Sequence, residues 1–330
     1  MAPGLLWLAV FFVLPNIQMV AMSLSSGSLG QGFAVTWDFD NYLGALGRFP
    51  DNFRNSLVYG GLATILTFLI GYPLAYAIAF RGGRYKNILL FLVIAPFFTS
   101  FLIRVISWRI ILGENGPVLG IVRDVLGVVP PNFSIINTPL AVVSGLTYQF
   151  LPFMVLPLYV SLERTDSRLV EAARDLYAGP WRRGGALVGG LGGAVIAAIL
   201  LVALGYAPLT IEGVVSSLPA MVVVGFVGSA IGALLISEAF VRITFPLSLP
   251  GVFAGSILVF IPAIGDFVNA ELLGNPRTQM VGNVIQGRFL EQNDYPTAAA
   301  LSFVLMAGIL VAIAIYARVL GTDELTGGRA

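Results

Sequence analysis

The sequence predicts an all-α, polytopic membrane protein, and two observations carry that prediction. Of its 330 residues 57% are hydrophobic and only 11% charged, whereas soluble domains carry roughly 25% charged residues. The apolar residues also gather into repeated runs of about 20, the length a helix needs to cross about 30 Å of hydrocarbon. So many runs of that length exceed anything a soluble core could use.

Span one, residues 4–24, has no basic lead-in and no small-residue cleavage site, and reads as an uncleaved anchor. A polar segment over 25–54 follows, with Trp37, Phe39 and Tyr42 placed as interface aromatics. Span two, 56–80, ends in Arg81, Arg84 and Lys86, a basic cluster that marks the cytoplasmic side.

Span three, 87–112, is read as one crossing and contains Pro96, Arg104 and Arg109. An arginine at mid-bilayer costs roughly 2.5–3.5 kcal/mol on the insertion scale, so Arg104 is expected to face protein, water or an acidic partner. Arg109 lies nearer the end and has two readings, a snorkelling headgroup contact and a functional charge. The apolar residues Val118, Leu119, Ile121, Val122, Val125 and Leu126 fall at helical spacing opposite Arg123 and Asp124, which predicts an interfacial helix on the outer surface.

Span four, 139–162, holds Pro152 and Pro157 and is expected to bend. Bent helices are tolerated in lipid where neighbours or cavity water satisfy the freed carbonyls. Two further apolar runs, 185–206 and 217–236, come next. Leaving each buried-type side chain in water would cost roughly 1.5–3 kcal/mol, so they are expected to form a transmembrane hairpin turned outward at 207–216. Glycines at 185, 189 and 193 and at 228 and 232 suit close packing there. Span seven, 251–273, carries Asp266, Asn269 and Glu271, an outer loop covers 274–294, and the last span is 296–320.

With the amino terminus inside, five of the 18 basic residues lie on the outer side (Arg48, Arg54, Arg123, Arg277, Arg288) and two in span three, leaving 11 on the cytoplasmic side. Basic residues accumulate on the cytoplasmic side of short loops, so the count supports this orientation and the hairpin together.

The chain's longest informative polar stretch lies between span four and the hairpin. Asp166 or Ser167 can cap a short helix, Leu169, Ala172, Ala173 and Leu176 give it a small apolar face, and Gly179-Pro180 stops it. Its plain reading is an amphipathic loop helix. The same residues, Glu171-Ala172-Ala173 onward, resemble the cytoplasmic coupling loop of binding-protein-dependent ABC importer permeases. The stretches Thr99–Val105, Leu151–Pro157, Leu258–Asp266 and Leu272–Gln286 resemble the spermidine/putrescine permeases of that family.

This resemblance implies a type I ABC importer permease core of six transmembrane helices. In the family an Ile-x-apolar-Pro element follows the loop glycine about ten residues on. Here the matching Ile243-Thr-Phe-Pro246 lies far downstream, and joining Arg182 to Ala239 restores the spacing. The chain therefore divides into 1–182 (spans one to four and the coupling helix), 183–238 (an inserted two-helix hairpin) and 239–330 (the last two core spans). The family glycine six residues after the glutamate is Tyr177 here, with Gly179 two residues later.

By the same resemblance Glu171, Ala172, Ala173, Asp175 and Gly179 couple the permease to its motor. The implied partners are two copies of a cytoplasmic ATP-binding subunit, a second permease subunit and an extracytoplasmic solute-binding protein, all at the cell membrane in contact with lipid. Arg104, Asp266 and Glu271 are the translocation-path candidates. A polyamine is an extended polycation, for which carboxylates along a path are apt. The other reading pairs Asp266 with Arg104 or sets it in a wet interface, and leaves Glu271 at the headgroups.

The composition narrows the alternatives. The chain has no cysteine and no histidine, so no thiolate chemistry and no ordinary metal ligand set is expected. Its only lysine, Lys86, follows a tyrosine, so there is no phosphate-binding P-loop. ATP hydrolysis would belong to another chain, and neither an enzymatic site nor a cofactor is expected. A net charge of +1 points to no nucleic acid. An importer of another solute and an ATPase-independent transporter or channel stand as the competing readings.

Overall fold

The computed structural model describes residues 2–125, 133–166 and 240–320. The helix around Glu171 and the expected hairpin at 183–238 lie outside the described residues. Among the described residues five helices are long and apolar enough to cross a membrane, and a bent helix pair makes a sixth candidate span. These six correspond to the six core spans expected from the sequence. The described residues fall into two compact units, one drawn from Met1–Leu57, Ile264–Glu271 and Asn275–Ala330, the other from Val58–Ala263 and Leu272–Gly274.

In the first unit, α1 (Pro3–Ser23) is an apolar helix with none of its hydrophobic window buried. It gives way to a two-stranded antiparallel hairpin, β1 (Ser25–Ser28) and β2 (Gly32–Val35), in which Ser25 faces Val35 and Ser28 faces Gly32. The turn depends on glycine: Gly27 has φ +139°, and a Cβ there would fall 2.1 Å from the Gly32 carbonyl oxygen. Helix α2 (Asp40–Arg48) follows. Its Asn41 Nδ2 donates to the carbonyls of Ser23 and Ser25 at 3.1 and 3.0 Å, and Tyr42 and Ser23 share a 2.6 Å hydroxyl hydrogen bond. Trp37 and Phe39 are exposed, as interface aromatics should be. Tyr42 is instead tied inward, because its hydroxyl satisfies the end of α1.

Helix α3 (Pro50–Arg81) begins six residues before the expected start of span two and opens with polar residues of the first unit. The second unit is built around a later helix. After α3 the expected single crossing at 87–112 is two pieces: α4 (Lys86–Ile94), one 3₁₀ turn at Ala95–Phe98, and α5 (Phe101–Leu112). The helices on either side of the break differ in direction by 99°. Pro96 has no N–H to continue an α-helix. Thr99 closes the 3₁₀ turn by donating from Oγ1 to the Pro96 carbonyl at 2.7 Å, and Thr99 and Ser100 are then extended, with ψ 155° and 135°. Beyond α5 the chain is helical again over Pro117–Leu119 and Gly120–Val125, where the interfacial helix was expected.

Helix α6 (Pro139–Glu163) is the centre of the second unit, with 61% of its apolar window buried, more than any other span. Thr138 caps it by accepting from the Ala141 N–H. It passes through Pro152 and Pro157 as one helix rather than breaking. Small residues let its neighbours close on it: Gly71 of α3 against Met154 and Val155, and Gly251 and Gly255 of α7 (Phe245–Ile264) against Pro157, Ser161 and Met154. Trp108 of α5 stacks on Tyr148 at 5.0 Å and donates from Nε1 to Ser144 Oγ. Tyr72 and Ser248 share a buried 2.7 Å hydroxyl hydrogen bond.

Span seven also departs from expectation. Instead of running over 251–273, α7 stops at Ile264, Gly265–Phe267 are non-helical, and α8 (Val268–Leu273) begins anew. The loop expected at 274–294 contains α9 (Val281–Gln286) before the last span, α10 (Tyr295–Leu320). The break moves Asp266 out of a helix interior, where its side chain can serve backbone amides.

Candidate functional site

Asp266 sits in the gap between α7 and α8, 9% exposed. Its Oδ1 accepts from the Asn269 backbone N–H at 2.8 Å and its Oδ2 from Asn269 Nδ2 at 3.2 Å. The carboxylate thus serves the amide three residues ahead, the pattern that opens a helix. A carboxylate offers about four lone-pair sites, so these two bonds leave acceptor capacity for a cationic donor.

Glu271, one turn further along, is exposed and accepts from Asn283 Nδ2 at 3.0 Å. The same Nδ2 donates to the Phe267 carbonyl at 2.9 Å, and Asn283 Oδ1 accepts from the Met280 N–H at 3.0 Å. Asn283 therefore ties the α7/α8 break and Glu271 to the start of α9, while Asp266 is held by Asn269. Gly282 makes the approach possible, since a Cβ there would lie 2.6 Å from the Gly265 carbonyl oxygen. The first turns of α3 hold the other side: Asn52 and Asn55 donate to the carbonyls of Arg277 and Gln279, and Ser56 Oγ accepts from the Val281 N–H. The sequence reading missed Asn283, Asn52 and Asn55. Asparagines in or beside apolar runs were the available signal, because buried amides require partners.

Arg104, in the other unit, is also 9% exposed. Its guanidinium carbon lies 4.8 Å from the ring centre of Phe97 and 6.0 Å from that of Phe101, and its buried Nε has no hydrogen-bond partner. It faces protein, as expected, but its neighbours are ring faces, and no carboxylate among the described residues pairs with it. Arg109 is exposed, in keeping with the headgroup reading. A buried charge without a counter-charge carries a desolvation cost, which an apolar side chain of similar reach would remove. Arg104→Met is accordingly expected to keep or raise the melting temperature of the purified permease. A fall of several degrees would assign the guanidinium a structural role.

At the far end of α6, Lys86 Nζ meets Glu163 Oε1 at 2.6 Å and lies 5.1 Å from the Tyr159 ring centre. Beside this end a cleft of about 810 Å³ is lined by Pro157, Ser161, Arg164 and Asp166 on one side and by Leu247, Pro250, Gly251 and Leu258 of α7 on the other. The predicted coupling residues Glu171, Ala172, Ala173, Asp175 and Gly179 are outside the described residues.

Residues 184–320 match the family described as binding-protein-dependent transport system inner membrane component. The spermidine/putrescine transport system permease protein PotB of Haemophilus influenzae is 32% identical over 313 residues, covering 94% of this chain and 90% of that protein. The chain belongs to this family of importer permeases. PotB of Escherichia coli is 31% identical, with 94% of this chain and 93% of the relative covered. The fold agrees with a solved bacterial ABC transporter involved in import of the acidic polysaccharide alginate, at TM-score 0.63 and 15% identity over 96% of this chain and 92% of that one. As a family member the chain is a membrane-embedded permease subunit of an ABC importer, a transport component rather than an enzyme. The family match begins inside the segment that motif spacing sets apart at 183–238.

Proposed function

We propose that this chain is the permease subunit of an ATP-driven importer of polyamines of the spermidine/putrescine class. The observation that carries the substrate class is the 32% identity to PotB over 94% of the chain. The coupling part of the reading rests on the Glu171-Ala172-Ala173 run, eight residues after the last residue of α6 in the sequence, together with a sequence that contains no P-loop.

In this reading two copies of a cytoplasmic ATPase grip the short helix from Glu171 to Gly179, and a second permease chain completes the pathway. A solute-binding protein delivers the polyamine from outside, and the amino terminus is cytoplasmic, in line with the 11 basic residues assigned to that side. Closure of the ATPase pair moves the coupling helix, and the packed helices follow as rigid pieces that open the path alternately to each side. Residues 183–238 form a hairpin beside this core. Asp266 and Glu271 offer carboxylates to the cationic solute, and Arg104, set among the Phe97 and Phe101 rings, is the third path candidate.

The test is reconstitution of the permease pair with its ATPase and binding protein in liposomes. Uptake of labelled spermidine is expected only with ATP present. Uptake without ATP by this chain alone would overturn the reading in favour of a secondary transporter or channel, and ATP-dependent uptake of a different solute would overturn the substrate class. In the same system Asp266→Asn keeps an oxygen for the Asn269 N–H while removing the charge. It is expected to lower spermidine uptake at least about fivefold, and full uptake in an assembled complex would remove Asp266 from the path.

A further inference from the structure

We propose that Lys86 and Glu163 are positioning residues that strap the cytoplasmic arm of the broken span to α6, so that movement of the coupling helix reaches both helices together. This rests on the coupling reading of the helix from Glu171 to Gly179. Because the helical path is broken at Thr99–Ser100 with a 99° change of direction, α4 has no continuous helix bracing it from above. Whether it follows α6 depends on its side contacts.

Those contacts sit near the two ends of the arm. At one end Lys86 Nζ meets Glu163 Oε1 at 2.6 Å with its charge over the Tyr159 ring. At the other end Phe97 packs edge-on against Phe153 at 5.0 Å. The contacts are 11 residues apart along the arm and 10 along α6, running in opposite directions. At about 1.5 Å per residue both intervals come to roughly 15 Å, so the two elements are matched in length like an antiparallel strap.

The position on α6 matters as much as the contact. Glu163 is the last residue of that helix, followed by turns closed by the Arg164 and Thr165 N–H groups, and Glu171 comes eight residues later in the sequence. A displacement delivered there enters α6 at the residue Lys86 holds. Within the basic cluster the division of labour is visible. Arg84 lies over its neighbour Tyr85 and bonds its hydroxyl, whereas Lys86, the only lysine in the chain, is turned onto α6. The pair is partly exposed, 25% and 47% for the two side chains, and exposed pairs contribute little to stability. Its effect is therefore expected in coupling rather than in folding.

The experiment compares wild type, Lys86→Glu, Glu163→Lys and the double exchange in the reconstituted transporter, measuring ATP hydrolysis and spermidine uptake in the same vesicles. Each single reversal is expected to cut solute moved per ATP at least about fivefold while hydrolysis stays within about twofold, and the exchange is expected to restore the ratio. Unchanged ratios in the single variants, or a loss that the exchange does not repair, would overturn the proposal. If a reversed variant does not assemble, a carbodiimide cross-link between Lys86 and Glu163 in the intact wild-type complex decides it. A strap that stays closed predicts continued coupled uptake, and loss of uptake on cross-linking overturns it. A wild type with no ATP-dependent uptake would instead defeat the coupling reading on which this rests.

Discussion

Replacing Gly251 by leucine is expected to deprive the permease of its folded core, seen as loss of the monodisperse peak after detergent extraction or a large fall in melting temperature. A Cβ at this position lies 2.6 Å from Ser161 Cβ, 2.7 Å from the Pro157 carbonyl oxygen and 3.1 Å from Leu158 Cα. Two of those atoms are backbone, so no change of rotamer relieves the clash, and α7 has to lift away from α6. Overpacking a well-filled interface costs typically about 1–3 kcal/mol, and a four-carbon side chain against fixed backbone belongs at the upper end or beyond.

Gly255, one turn later, provides the contrast. Its Cβ would meet Met154 Sδ at 2.7 Å, with the Met154 carbonyl oxygen at 3.2 Å. A methionine side chain can move aside, and alanine is a better helix former than glycine by about 1 kcal/mol. Gly255→Ala is therefore expected to stay within about 1 kcal/mol of wild type. Similar behaviour of Gly251→Leu and Gly255→Ala in the melting curve would show that the close approach of α6 and α7 is not what holds the unit.

Asn283→Ala is expected to produce the largest loss among single polar substitutions in the first unit. The change leaves the buried Met280 N–H without its acceptor, takes one of two donors from the Phe267 carbonyl, which keeps the Glu271 N–H, and frees the Glu271 carboxylate. An orphaned buried group costs about 1–3 kcal/mol, and the break at Gly265–Phe267 loses its brace as well. Thermal unfolding of the purified chain reads the first effect. Uptake by the reconstituted complex reads the second, since Asp266 is positioned by the same break. A melting temperature within a degree or two of wild type would mean that the cluster is held by the α3 asparagines alone.

Which parts of this were legible in the sequence follows from the range of the interactions involved. The core spans were readable because length and apolarity are local quantities, and lipid enforces them residue by residue. Pro96 was readable as a disturbance of span three, but not as a break of 99°. Proline removes one hydrogen bond, whereas the turn also needs extended Thr99 and Ser100 and something for α5 to lie against, which Tyr148 and Ser144 of α6 provide. Gly251 and Gly255 stand at the close-packing spacing in plain sight. Glycine is common in membrane helices, so only the neighbour across the gap, Pro157 or Met154, distinguishes a contact from composition.

The acids show the same division. Asp266 and Glu271 were readable as charges in apolar surroundings, and so as residues with work to do. That Asp266 opens a new helix depends on the break after Ile264, and that Glu271 is held by Asn283 depends on a segment twelve residues further along the chain. Lys86 was legible only as one positive charge in a cluster marking the cytoplasmic side, because its partner Glu163 is 77 residues away. By itself, then, the sequence determined the family and which stretches are long and apolar enough to cross lipid, since these rest on local hydrophobicity and contiguous motifs. Only the tertiary structure decided where the spans break, which glycines are contacts and which charges are held, because each of those depends on a partner distant along the chain and adjacent only after folding.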